Sequence, residues 1–108
     1  MKGLGDMAGL MAKAQEMQAK AAEMQEELER IEVQGQSGAG MVVATTSAKG
    51  RLKGLKIDPS LVKADEAEVL EDLIVAAIND AQEKAAARAT EEMQQLTAGL
   101  PIPPGMMG

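Results

Sequence analysis

The sequence predicts an α+β domain: a long N-terminal helix, a three-stranded antiparallel sheet and a long C-terminal helix. Three observations predict it. An apolar seam with seven-residue spacing covers residues 7–31, short β-prone runs separated by glycine-bearing turns fill residues 31–57, and a broad helical apolar face opens near residue 65. Composition agrees, because Ala (19), Glu (12), Lys plus Arg (11) and Leu (10) make up 52 of the 108 residues, about the half expected of long helices and coiled coils. One domain spanning 1–108 is expected, with a helical arm (7–31), an antiparallel sheet (31–57), a second long helix (65–98) and a flexible tail (99–108).

The first element rests on a heptad pattern. Met7, Ala14, Ala21 and Leu28 fall seven apart, and Leu10, Met17, Met24 and Ile31 follow each by three residues, with Lys, Gln and Glu at most other positions. Asp6, after Gly3 and Gly5, is the expected N-cap. In the middle, Ile31 and Val33 alternate with Glu32 and Gln34, and the segment GQSGAG (35–40) reads as a loop. The run MVVATTS (41–47) is apolar or small on both faces, which predicts a central strand covered on both sides. After a turn at Ala48, Lys49 and Gly50, the run RLKGLKI (51–57) breaks its alternation at Gly54, as a β-bulge would. Such a bulge places Leu52, Leu55 and Ile57 on a core face, with Arg51, Lys53 and Lys56 as a basic stripe opposite. Asp58-Pro59-Ser60 is a turn. The second helix is expected to open at an Asp65 cap three residues before Glu68. Its apolar face is Val69, Leu70, Leu73, Ile74, Ala77, Ile78 and Ala81, thinning to Ala85, Ala89, Met93 and Leu96. Thr97 to Pro101 reads as a helix stop with a C′ glycine at Gly99.

Leu, Ile and Val total only 21 residues and there is no aromatic side chain, so the core must lean on Ala and the 9 Met. A core that thin predicts association with a second copy. The same absences narrow the chemistry. With no His and no Cys there is no imidazole acid/base, thiolate nucleophile, or thiolate or imidazole zinc site. With no aromatic ring there is no platform for stacking single-stranded bases. The expectation is a chain that is not an enzyme and uses no cofactor, metal or small-molecule substrate. No apolar run approaches the ~20 residues of a membrane span, and the first residues lack a secretory h-region, so a cytoplasmic location is expected.

Charge is unevenly distributed. The formal net charge is −6, yet residues 33–64 carry five basic side chains and only Asp58, whereas residues 1–32 and 65–108 are both net acidic. Lys49, Arg51, Lys53, Lys56 and Lys63 are the one basic cluster with few acids nearby in sequence, read either as a solvated strand edge guarded against aggregation or as a phosphate contact. On the helices, Lys13 and Lys20 lie seven apart and Lys84 and Arg88 four apart. Glu16, Asp80 and Glu92 stand at salt-bridge spacing from Lys20, Lys84 and Arg88. GQSGAG lacks the Lys-Ser/Thr ending of a P-loop and precedes a strand, so it reads as a hairpin loop despite its GXXG letters. The acids Asp65, Glu66, Glu68, Glu71 and Asp72 suit the positive end of a helix dipole better than a metal site.

In order along the chain, GLGDMAGLMAKAQEMQ, ELERIEVQGQSGAGMVVATTSAKGRLKGLKIDPSL, LEDLIVAAINDAQEKA and a Leu-Pro-containing, Gly-rich tail resemble the YbaB/EbfC family of nucleoid-associated DNA-binding proteins. The resemblance covers nearly the whole chain. It implies a tweezer-like homodimer whose sheets and second helices form the body while paired long helices project around double-stranded DNA. Low-specificity binding that alters DNA conformation, with effects on nucleoid organisation and gene expression, follows from it. The implied dimer makes Met41, Val43, Leu70, Ile74, Ala77 and Ile78 the candidate interface. The projecting helices offer Lys13, Lys20, Lys84 and Arg88 as DNA contacts, and the charge count offers Lys49, Arg51, Lys53 and Lys56. The partners expected are thus DNA and the chain itself, without a membrane. A coiled-coil protein-binding adaptor or prefoldin-like holdase is the alternative, since Met-bearing helices adapt to varied apolar partners.

Overall fold

The computed structural model describes residues 2–97, with side chains over 6–96. Helix α1 (Lys2–Arg30) leads into strands β1 (Glu32–Ser37), β2 (Val42–Ser47) and β3 (Leu52–Ile57). Two 3₁₀ turns, Pro59–Leu61 and Ala64–Glu66, then connect to helix α2 (Ala67–Thr97). The strands form one antiparallel sheet in the order β1-β2-β3. The radius of gyration is 21.0 Å, against about 13 Å for a compact domain of this length. The difference comes largely from α1, roughly 43 Å of rod, whose side chains are all exposed from residue 6 to residue 23.

Helix α1 keeps its predicted seam but starts earlier than expected. It runs through Gly3, Gly5 and Asp6, so Asp6 is an interior residue and not a cap. Glycine weakens a helix by only about 1 kcal/mol relative to alanine, and no proline forces an exit. The seam is covered at one end only: Met24 and Leu28 are buried with Ala48, and Ile31, Ala89 and Leu96 pack around them. Met7, Leu10, Met11 and Met17 stay exposed.

The expected loop at 35–40 yields its first three residues to β1, because Gly35 is a packing glycine. It pairs with Ala44 on the face beneath α2, where a Cβ would lie 2.1 Å from the Ala81 nitrogen and 2.6 Å from the Ala77 oxygen. Only hydrogen at this position lets the helix backbone settle on the strand. The turn is therefore shorter, and Gly38, Ala39 and Gly40 all take positive φ (58°, 56° and 88°) to reverse the chain. The main core follows from this close approach: Val42 and Ala44 of β2 meet Ala77 and Ala81 of α2, with Ile57, Leu61, Leu73, Ile74 and Ile78 around them.

Strand β2 is central, as predicted, but α2 covers only one of its faces, and Val43 and Thr45 opposite are half-buried. One chain has a single helix available for the sheet. The bulge occurs where Gly54 signalled it: Thr45 pairs with Gly54 and Thr46 with Leu52, leaving Lys53 as the extra residue. Leu52, Leu55 and Ile57 then share the face of Thr46, Ala44 and Val42. They do not all form core, however. Helix α2 lies over β1 and β2 and stops short of β3, so Leu52 and Leu55 remain 44% and 41% exposed.

Asp58 caps the first 3₁₀ turn by accepting from the Ser60 N–H at 2.9 Å. The Asp65 cap is not made. Asp65 lies inside the second 3₁₀ turn, which carries the chain into α2 two residues later than expected. The apolar face of α2 is also narrower than predicted, with Val69 exposed. The helix stop after Thr97, Gly99 included, and the tail 99–108 lie outside the described residues.

Gly35→Ala should force α2 away from the sheet and cost about 3 kcal/mol, the upper part of the range for overpacking. A urea titration at fixed protein concentration would show a lower midpoint; an unchanged midpoint would mean the close approach is dispensable.

Candidate nucleic-acid interface

The basic residues of the middle segment are organised by Ser47, which is fully buried. Its hydroxyl accepts from the Lys49 N–H at 3.2 Å and the Arg51 N–H at 3.3 Å, and its own N–H donates to the Arg51 carbonyl at 2.8 Å. The β2–β3 turn is thereby a rigid loop that aims Lys49 and Arg51 outward. It is also tied to the end of α1. The Ala48 N–H donates to the carbonyls of Leu28 (3.1 Å) and Ile31 (2.9 Å), satisfying groups that a helix C-terminus leaves open. The Lys53 ammonium, from the bulge, donates to the Glu29 carbonyl, and a cation at this end of a helix also meets the negative end of its dipole. The Glu29 carboxylate lies 3.4 Å from Arg51 and 4.0 Å from Lys49. From α2, the Gln82 amide donates to the Gly50 carbonyl at 3.2 Å.

Three of the four hairpin candidates thus converge on one residue of α1. The fourth, Lys56, has no ion pair among the described residues and lines a groove on the sheet face away from α2, with Gln34, Val43, Thr45 and Gly54. Lys84 lines an adjoining groove that shares Gln34 and Val43, so the fold brings near one another two lysines that sequence reasoning assigned to separate groups.

The helical candidates are mostly paired at the spacing the sequence predicted: Lys20 with Glu16 at 3.4 Å, Lys84 with Asp80 at 3.1 Å and Arg88 with Glu92 at 2.9 Å. The Lys20 and Lys84 pairs are exposed enough to be weak and open to competition by a phosphate, whereas Glu92 is largely sheltered beside Arg88. Lys13 stands on the exposed part of α1 without an ion pair among the described residues. Of the candidate dimer contacts, Ala77 is fully buried within the chain and has no surface left for a partner. Met41, Val43, Leu70, Ile74 and Ile78 are half-buried or exposed only in part.

Sequence reasoning missed two contributors. Glu29 carries no local signal, since its partners lie 20 to 24 residues away. Asp80 was legible only as a helical partner of Lys84; it also accepts from the Gln36 N–H at 3.0 Å, closing part of the free edge of β1. That N–H and, after it, Lys84 hold the Asp80 carboxyl below the ordinary aspartate value. Among the described residues no three His, Cys, Asp or Glu side chains gather as a metal site would require. No described helix is long and apolar enough to cross a membrane. What the arrangement offers chemically is a set of cationic donors on a rigid turn, beside two long helices.

The fold is that of a small α+β protein in which a long helix projects from a three-stranded sheet backed by a second long helix, with cations gathered on the hairpin at its base. The chain belongs to the YbaB/EbfC DNA-binding family, whose model matches residues 2–100. It is 54% identical over 101 residues to a nucleoid-associated protein of Agrobacterium fabrum, covering 94% of each chain. It is 58% identical over 101 residues to one of Methylocella silvestris, again with 94% of each chain covered. A crystal structure of an uncharacterized Helicobacter pylori protein shares the fold, with a TM-score of 0.64 at 23% identity over 92% of this chain and 94% of that one.

A depressed carboxyl pKa means stability present above the unfolded value, about 3.9, and lost as pH falls through the folded one. Asp80→Asn should therefore be less stable than the parent at pH 7, with the gap closing below about pH 4. Urea midpoints for both proteins at pH 7 and pH 3 check this, and a gap that stays constant would remove Asp80 as the source.

Proposed function

We propose that this chain acts as a nucleoid-associated protein that binds double-stranded DNA as a homodimer, holding phosphates by charge and shape without a base-edge code. The observation that carries the reading is the match to a DNA-binding family over residues 2–100, with relatives named nucleoid-associated proteins at 54% and 58% identity. A cytoplasmic, nucleoid-associated location follows from the same names. Changes in DNA conformation, and through them in nucleoid organisation and gene expression, are the consequence of a dimer gripping a duplex. The holdase alternative is not favoured, because family and relatives both point to DNA and the nucleoid. The role is a binding one, with no reaction assigned to any residue.

Dimerisation is supported by the strand of the sheet that α2 leaves open, β3. Leu52 and Leu55 lie on the α2 side of an edge strand beyond the reach of α2 and keep 44% and 41% of their surface exposed, and the opposite sheet edge is partly closed by Asp80. Removing such side chains from water is worth about 25 cal/mol per Å², and a second copy is the partner always present at matching concentration. Two copies sharing this region would set two α1 arms on one body. Replacing both Leu52 and Leu55 with Ser should weaken the dimer by at least tenfold in sedimentation equilibrium. A parent chain that sediments as a folded monomer at 10 μM (association weaker than about 7 kcal/mol) would overturn the dimer.

Unrelated duplexes should be bound with similar affinity, and log K should fall linearly with log salt at about 0.9 per phosphate neutralised. No retention of any duplex by micromolar protein at low salt would overturn DNA binding. The two candidate surfaces are separable with neutral substitutions. Lys49, Arg51, Lys53 and Lys56 changed to Gln should lower affinity and reduce the slope by about one for each phosphate-bound cation removed, whereas Lys13, Lys20, Lys84 and Arg88 changed to Gln test the helices. If neither quartet alters binding, both surfaces are wrong. Reversal to Glu is avoided at the hairpin, because it would set new acids against Glu29.

A further inference from the structure

The contacts at the β2–β3 turn have a consequence for binding. A carboxylate from another element occupies the densest cationic site of the chain. Glu29 lies 3.4 Å from the Arg51 guanidinium and 4.0 Å from the Lys49 ammonium, and the same residue's carbonyl receives the Lys53 ammonium. We propose that Glu29 is an internal competitor for phosphate, which DNA must displace before it can use Lys49 and Arg51. The inference rests on the reading that these hairpin cations contact DNA.

Three observations carry it. First, a carboxylate and a phosphodiester each present one negative charge through two oxygens, so they compete for the same N–H donors. Second, the pairing is reversible: both contacts are longer than a tight charge-assisted bond, and the side chains of Arg51 and Glu29 are 76% and 35% exposed. Ion pairs of this exposure are screened by solvent and hold weakly. Third, the turn does not depend on the carboxylate for its shape. Ser47 fixes the loop internally, and the Ala48 N–H anchors it to the carbonyls of Leu28 and Ile31. Glu29 can leave while the cations stay aimed. Binding and displacement are then linked, so whatever the phosphate costs the Glu29 pairing, that pairing costs the phosphate equally.

The test uses the full chain and a duplex of arbitrary sequence. Glu29→Gln should tighten binding about two- to fivefold at low salt, the weight of one exposed ion pair, and the gain should shrink as salt rises. Glu23→Gln removes the same charge from an exposed α1 position that makes no ion pair among the described residues, and should give less. Glu29→Asp keeps the charge but withdraws the carboxylate by one methylene, and should recover part of the gain. In a Lys49→Gln, Arg51→Gln background the Glu29→Gln gain should vanish. Far-UV circular dichroism shows that each variant keeps its helices. Equal gains from Glu29→Gln and Glu23→Gln, or a gain that survives without Lys49 and Arg51, would overturn the competitor. If the Lys49→Gln, Arg51→Gln pair leaves affinity and salt slope untouched, it is the hairpin reading that fails, and the competitor falls with it.

Discussion

A helix of 29 residues that touches its own domain only at its last turns must be held there by something stiffer than a surface contact. In this chain the terminal carbonyls of α1 are met by the β2–β3 turn and the start of β3: the Ala48 N–H bonds the carbonyls of Leu28 and the adjoining Ile31, and the Lys53 ammonium that of Glu29. Ala48 is buried among Met24, Leu28 and Leu96, so apolar packing and hydrogen bonding act at the same point. An arm anchored through backbone groups keeps a defined direction, and a defined direction is what a pair of arms needs in order to make a cleft. The bulge at Lys53 belongs to the same device, since the extra residue re-aims a side chain at a sheet edge toward the helix end.

The second constraint is size. Without aromatic side chains the chain makes its core by bringing backbones close together, Gly35 against Ala77 and Ala81, instead of filling space with large groups. Close approach packs well but covers little area, so the helix shelters two strands and leaves the third. The incomplete cover of β3 and the absence of Phe, Tyr and Trp are thus one fact seen at two levels. An apolar edge strand left open would be a hazard in a lone chain, and it becomes an asset when the partner is another copy.

The element order, the heptad seam, the Gly54 bulge and the i,i+4 pairs were legible because each rests on residues within a turn or two of one another. Gly35 was misread for the opposite reason. A glycine between β-prone runs signals a loop unless one knows that a helix much later in the chain will lie on it. Asp65 failed as a cap because the connection makes a 3₁₀ turn around it, an outcome its neighbours do not announce. The hairpin cations were legible as a cluster but not as a site. Whether they face solvent or a carboxylate depends on Glu29, which only the tertiary fold brings to them. The two-sided cover expected for β2 needs a second layer that one chain does not contain.

A net charge of −6 looks at odds with binding a polyanion, and the geometry explains why the sum is a poor guide. At physiological salt the Debye length is about 8 Å, so a phosphate responds to the charges of one turn or one helix face and not to the whole chain. On the helices each pairing of Lys20, Lys84 or Arg88 cancels locally. At the β2–β3 turn Lys49 and Arg51 share a single carboxylate while Lys53, from the bulge beside it, meets only a backbone carbonyl, which leaves a positive excess on the hairpin. Lowering the salt lengthens both attraction and repulsion, and the acids of α1 and α2 then reach the duplex as well. A protein with this distribution gains less from low salt than a uniformly basic one would. On the proposed reading, what counts for affinity is how many cations are free of carboxylates, a number the fold controls through side chains such as Glu29.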